Sequence, residues 1–192
     1  MYLRRKWYPS WSKRGRCALR PETAAGAPAS PPRPATTTSR IILIGLKLDL
    51  VASDHSPSIA ELKGTNFMEA WGGISSVQFG LSLFWTEASA RGFGLGTVSH
   101  YLSAGPARLV GLQDRKGAIR VGLDADLVFF DPNAAFVVTP QIIQYKNKIS
   151  PYMYRILRGK VVQTYVRGRL VYADEKIVGS PRGRLLLKQG YY

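Results

Sequence analysis

A chain of 192 residues can bury one good core, but it falls short of the ~250 residues that a closed (β/α)8 barrel usually takes. With 45% hydrophobic residues it has the composition of a folded protein. No apolar run approaches the ~18 residues of a membrane span, and the lone Cys17 excludes an intrachain disulfide and a cysteine-built zinc site. The net charge of +15 is unaccompanied by zinc-finger spacing, a recognition-helix pattern or an aromatic–basic sheet motif, so nucleic acid is not the expected partner.

Residues 1–40 hold more than half of that charge, with Glu22 as their only acid. They also hold six prolines, from Pro9 to Pro34. Proline fixes φ and removes a backbone donor, so Pro28 to Pro34 propagates neither a helix nor a central strand. The segment reads as disordered. Its Arg-rich, acid-poor composition is that of an organelle transit peptide, mitochondrial for example. Its proline-rich half nevertheless makes a poor amphipathic helix, and a segment with no targeting role is the preferred reading.

Order is expected from Ile41. Ile41-Ile42-Leu43-Ile44 is apolar without helical spacing, whereas Leu48 to Ser53 is short, apolar and β-rich and stops at Asp54-His55-Ser56-Pro57. That pattern predicts a buried parallel strand running into a loop. The loop ends in Trp71-Gly72-Gly73, and Ile74, Val77, Leu81, Phe84 and Ala88 then recur at helical spacing. Arg91-Gly92 closes this helix, glycine being the usual residue at the left-handed position after a C-terminus. A second helix over about 96–103 and a short one over 107–112 complete a region spanning 41–112.

From Lys116 the period changes to that of strands. Gly117-Ala118-Ile119, then Ala125 to Phe130 bounded by Asp131-Pro132, then Phe136-Val137-Val138 read as strands. Val161–Val166 and Arg169–Tyr172 flank Arg167-Gly168 as a β-hairpin. Residues 113–192 therefore read as a small all-β unit with a tail.

Three stretches carry a resemblance. Val51-Ala52-Ser53-Asp54-His55-Ser56-Pro57, Ala70-Trp71-Gly72-Gly73-Ile74-Ser75-Ser76 and Trp85-Thr86-Glu87-Ala88 resemble the last barrel strand and following helix of allantoinases. The tail agrees: Gly122-Leu123-Asp124-Ala125-Asp126-Leu127-Val128, Lys146-Asn147-Lys148-Ile149-Ser150-Pro151-Tyr152 and Val166-Arg167-Gly168-Arg169 are similar to the C-terminal β-domain of the same enzymes. The Gly-x-Asp-Ala-Asp-Leu-Val element alone indicates only the wider amidohydrolase superfamily. The resemblance implies an α/β fold: the C-terminal part of a (β/α)8 barrel, with its last strand and helices, followed by the all-β unit.

It also implies a chemistry, the hydrolysis of allantoin to allantoate in purine degradation by a pair of zinc-type divalent ions. In similar amidohydrolases the aspartate at the position of Asp54 binds one metal and carries the proton from water to the departing ring nitrogen. On residue chemistry alone Asp54 reads as a loop or helix cap in preference to a catalytic group. Ser56, Gly72 and Gly73 resemble positions that contact the ureide ring. His55 is expected to orient the loop, and His100 to be a packing or surface residue. The family's metal site needs four histidines and a bridging lysine, whereas this chain has two histidines. It is therefore expected to be inactive alone, with a non-catalytic assembly protein as the alternative reading.

Two smaller departures are Tyr154, where the family commonly has glycine, and Gly105, where it commonly has asparagine. With its neighbouring strands missing, the strand at 48–53 is expected to leave the Ile74–Ala88 face bare and the protein prone to aggregate. The resemblance further suggests a homo-oligomer, and the scarcity of cysteine fits a cytoplasmic setting.

Overall fold

The computed structural model describes residues 48–66 and 68–187, so the expectations for residues 1–40 and Ile41–Ile44 lie outside the described residues. Its centre is a four-stranded antiparallel sheet in the order β1-β2-β3-β4, made of β1 (Leu127–Val137), β2 (Ile156–Val166), β3 (Arg169–Ala173) and β4 (Lys176–Ile177). The expected all-β unit is present, with three differences in detail.

Both of its tight hairpins turn on two residues of positive φ. These are Arg167 (48°) and Gly168 (73°) between β2 and β3, and Asp174 (49°) and Glu175 (62°) between β3 and β4. A left-handed pair matches the twist of the flanking strands. The first hairpin is the expected one; the second carries no glycine to announce it.

β1 is one strand where two were expected. Asp131-Pro132 does not end it but forms a bulge, with the register against β2 shifting between Asp131 and Ala135. The Asp131 carboxylate accepts the N–H groups of Asn133 (2.9 Å) and Ala134 (3.2 Å), and the indole of Trp85 donates to the Pro132 carbonyl at 2.9 Å. An edge strand tolerates proline at such a bulge. Gly117–Ile119 is not a strand. Gly117 has φ 91° and packs its turn against Ala107, and Ile119 is left 90% exposed.

The helix expected from Ile74 begins later, as a 3-10 turn at Val77–Phe79 leading into α1 (Gly80–Ala90). Val77 is exposed rather than part of the apolar face. α1 and the 3-10 turn before it bury two sides. Phe79 meets Val138, Ile143 and Leu157 of the β unit, while Phe84 and Ala88 meet Val98 and Tyr101. Ser82 seals the sheet side by donating its hydroxyl to the Gly159 carbonyl at 2.6 Å. Gly159 is required there, since a Cβ would lie 2.2 Å from the Phe130 ring. The Phe84 and Ala88 positions expected to stand bare are thus covered.

α1 ends as predicted at Arg91-Gly92. Gly92 (φ 78°) donates to the Ser89 carbonyl and Phe93 to that of Ala88, each at 3.0 Å, which is the paired bonding of a Schellman motif. Next comes an unbroken helical run of α2 (Leu95–Ser99), a π turn (His100–Ala104) and α3 (Gly105–Leu109). A break was expected at Gly105-Pro106. The π turn accommodates the proline instead, by widening the ladder one turn ahead of a residue that cannot donate.

Residues 48–53 are the main correction to the expected barrel fragment. They form no strand, and the segment contributes a single parallel bridge, His55 to Ile74. A parallel strand needs neighbours on its hydrogen-bonding edges, and the described residues supply none. Leu48 and Val51 pack against the Phe84–Tyr101 cluster, and the Val51 N–H donates to the Tyr101 carbonyl at 3.0 Å.

Candidate active site

The segment around Asp54 is stitched to the start of α1 at three points. The Ser76 hydroxyl donates to the Ser53 carbonyl at 2.9 Å, and the Ser56 N–H donates to the Ile74 carbonyl at 2.9 Å. Between them, Nδ1 of His55 accepts the backbone N–H groups of Ser76 (3.0 Å) and Val77 (3.2 Å). Those N–H groups open the 3-10 turn and have no partner within the helix, so His55 serves as its cap.

Asp54 itself has φ 47°, in the left-handed region that Asp tolerates better than most residues. It is exposed, and among the described residues its carboxylate has no hydrogen-bond or ion-pair partner. Asp54 therefore caps nothing here, and His55 does so in its place. Fastened backbone on both sides with a free carboxylate between is an arrangement that can present an acid–base group.

Ser56, two residues after Asp54 in the chain, comes together with Gly72 and Gly73. The Ser56 hydroxyl accepts the Trp71 indole N–H at 3.1 Å and donates to the Gly72 carbonyl at 3.2 Å. Gly73 has φ 82°, and a Cβ there would lie 2.5 Å from that of Ser56, so no other residue fits. Around Gly72 nothing lies within 4 Å of a Cβ position, which leaves that backbone open. Lys63, which sequence reasoning missed, holds the loop shut by donating its ammonium to the carbonyls of Trp71 (2.9 Å) and Gly73 (2.6 Å). In sequence it is an ordinary lysine in a polar loop, and nothing local marks it.

The residues present do not make a metal centre. Among the described residues no three His, Cys, Asp or Glu side chains gather as a cation would need. Nδ1 of His55 is occupied by backbone donors, and His100 lies in the π turn with its ring 5.3 Å from that of Tyr101. Catalytic zinc ordinarily takes three protein ligands.

The Gly-Leu-Asp-Ala-Asp stretch is scaffold. Lys116 pairs with both Asp124 and Asp126, and Asp126 accepts the Arg167 N–H at 2.8 Å, which ties the β2–β3 turn to the helical unit. Burial pulls the Lys116 ammonium down, but the bonds and charges of the two aspartates outweigh it and raise its pKa above the ordinary value. The hydrogen bond from Lys116, opposed by burial, holds Asp124 below the usual carboxylate range.

This fold is similar to that of amidohydrolases as a class. Residues 90–172 match the family described as the Amidohydrolase family. The match begins beyond Asp54, so the site stands on its own geometry. The solved structures agree: D-hydantoinase (dihydropyrimidinase) from Thermus sp. is 28% identical at a TM-score of 0.68, and dihydropyrimidinase from Brevibacillus agri NCHU1002 is 26% identical at 0.69. Each alignment covers 74% of this chain and 32% of the other.

Within that class the likeness is to allantoinases. The chain is 44% identical over 142 residues to the allantoinase of Streptomyces avermitilis, covering 74% of this chain and 32% of the relative. It is 43% identical over 145 residues to probable allantoinase 2 of Dictyostelium discoideum, covering 70% and 28%. The chain thus spans about a third of the length of the curated relatives it matches.

Proposed function

We propose that this chain is part of a cyclic amide hydrolase of the allantoinase type, which opens the ring of allantoin to allantoate in purine degradation. The observation that carries the reading is the 44% identity to an allantoinase, against 28% or less for the hydantoinase and dihydropyrimidinase structures above. Asp54 is its acid–base group. The oxygen of a water molecule adds to the ring carbonyl carbon while the Asp54 carboxylate takes the water's proton. The C–N bond then breaks, and the same proton passes to the departing ring nitrogen. In the proposed mechanism a flat ureide is taken against the open backbone at Gly72, next to Gly73 and Ser56.

Members of this family are generally metal-dependent. In our reading the ions are a zinc pair, and their ligands other than Asp54 are drawn from beyond the described residues. A homo-oligomer is part of the same reading. Among the described residues no helix is long and apolar enough to cross a membrane, and a cytoplasmic setting is proposed on the scarcity of cysteine.

The test is a chimera in which the aligned stretch of the Streptomyces avermitilis allantoinase is replaced by that of this chain. It is expected to open allantoin in preference to hydantoin or dihydrouracil, followed by loss of substrate. A folded chimera that prefers hydantoin or dihydrouracil would overturn the reading.

A further inference from the structure

The loop joining β1 to β2 reaches back over the start of α1, a role that neither the acid–base reading of Asp54 nor the sheet requires. Four ties hold it there. The Gln78 side chain donates to the Ile142 carbonyl at 2.7 Å and accepts the Gln144 N–H at 2.8 Å. The Ser150 hydroxyl donates to the Ser75 carbonyl at 3.5 Å, and Ile143, 1% exposed, packs into the cluster around Phe79. Tyr145 completes the set with its ring edge-on to that of His55, 5.3 Å between centroids and 66° between planes. The imidazole is thus fixed from two sides, by the backbone donors it caps and by an aromatic ring from the β unit.

We infer that His55 and Tyr145 are positioning residues for Asp54: Tyr145 sets the imidazole, and the imidazole locks the backbone next to Asp54 onto the start of α1. The β unit then takes part in placing the acid–base group, although among the described residues its side chains make no hydrogen bond or ion pair with the Asp54 carboxylate. The left-handed backbone of Asp54 is the state that needs holding, because it lies above the extended state in energy for a residue with a Cβ. The inference rests on the acid–base reading of Asp54, and two separate measurements distinguish its failure from the failure of that reading.

The first uses the full chain and follows amide hydrogen exchange at Ser76 and Val77. Asparagine can place an acceptor where Nδ1 of His55 stands, and glutamine places it one bond further out. His55→Gln is expected to speed exchange at both amides about tenfold, the order of one lost cap, while His55→Asn leaves it close to wild type. Equal exchange in His55→Gln and wild type would overturn the inference.

The second uses the chimera described above. His55→Gln and Tyr145→Leu are expected to lower kcat at least fivefold with KM within twofold, and His55→Asn to recover most of the loss. Tyr145→Leu keeps the capping atoms in place, so it reads the ring contact even if His55→Gln fails to fold. Unchanged kcat in both variants, beside an inactive Asp54→Asn, overturns the positioning role. An Asp54→Asn that keeps full kcat defeats the acid–base reading instead, and amide exchange alone then decides whether His55 anchors this backbone.

Discussion

At Tyr154 the chain holds a large aromatic residue at φ 62°, 73% exposed, with its N–H donating to the Val138 carbonyl at 2.7 Å. The left-handed region crowds Cβ against the backbone, and glycine, which has none, suits it. Tyr154→Gly is therefore expected to stabilise the protein by roughly 0.5–1 kcal/mol, read as a higher urea midpoint at unchanged slope. At Gly73 the same geometry is met by the residue that suits it. The loop end at Trp71-Gly72-Gly73 was legible as a local pattern, whereas the roles given to Asp54 and Ser56 rested on the resemblance to allantoinases. Lys63 and the capping role of His55 were not legible. Each depends on a partner between 8 and 22 residues away, which no short-range pattern encodes.

Among the elements, the run from Leu95 to Leu109 shows how packing overrides local punctuation. Gly105-Pro106 reads as a break, yet the helix continues through it by way of the π turn. Glycine is needed at 105 for another reason: a Cβ would lie 2.4 Å from the Asp49 carbonyl and 3.1 Å from Leu50. Gly105→Asn is expected to cost about 1–3 kcal/mol here. A thermal melt checks this, and a variant as stable as wild type would show that residues 49–50 pack elsewhere. The β2–β3 hairpin was legible from Arg167-Gly168. The bulge that merges two expected strands into β1 was not, since Asp131-Pro132 signals a turn equally well on an edge strand. The expected strand at 48–53 did not form, because a short apolar run becomes a parallel strand only when neighbours are present to pair with it.

Over the whole molecule, α1 is the shared wall between two apolar clusters, and the carboxylates of Asp124 and Asp126 join the helical unit to the sheet through Lys116 and Arg167. That junction has a defined pH response. Asp124 is held below its ordinary value of 3.8, so its stabilisation is fully present above that pH and is lost as the pH falls through the depressed value. Lys116 is raised above 10.5, so its share is present below that pH and is lost as the pH rises through the raised value. Asp124→Asn is accordingly expected to flatten the acid limb of urea stability below about pH 4 and to leave the slope between pH 5 and 8 unchanged. A wild-type acid limb retained in the variant would remove Asp124 from the account.

Two histidines, one of them committed to a cap, leave Asp54 as the group on which the proposed hydrolysis depends. The most direct measurement is the kcat for allantoin of the chimera with and without Asp54→Asn, at matched melting temperature. The expected result is a fall of at least about a hundredfold with KM little changed, the scale of a lost general acid–base. A variant that turns over within twofold of its parent would contradict the assignment of Asp54.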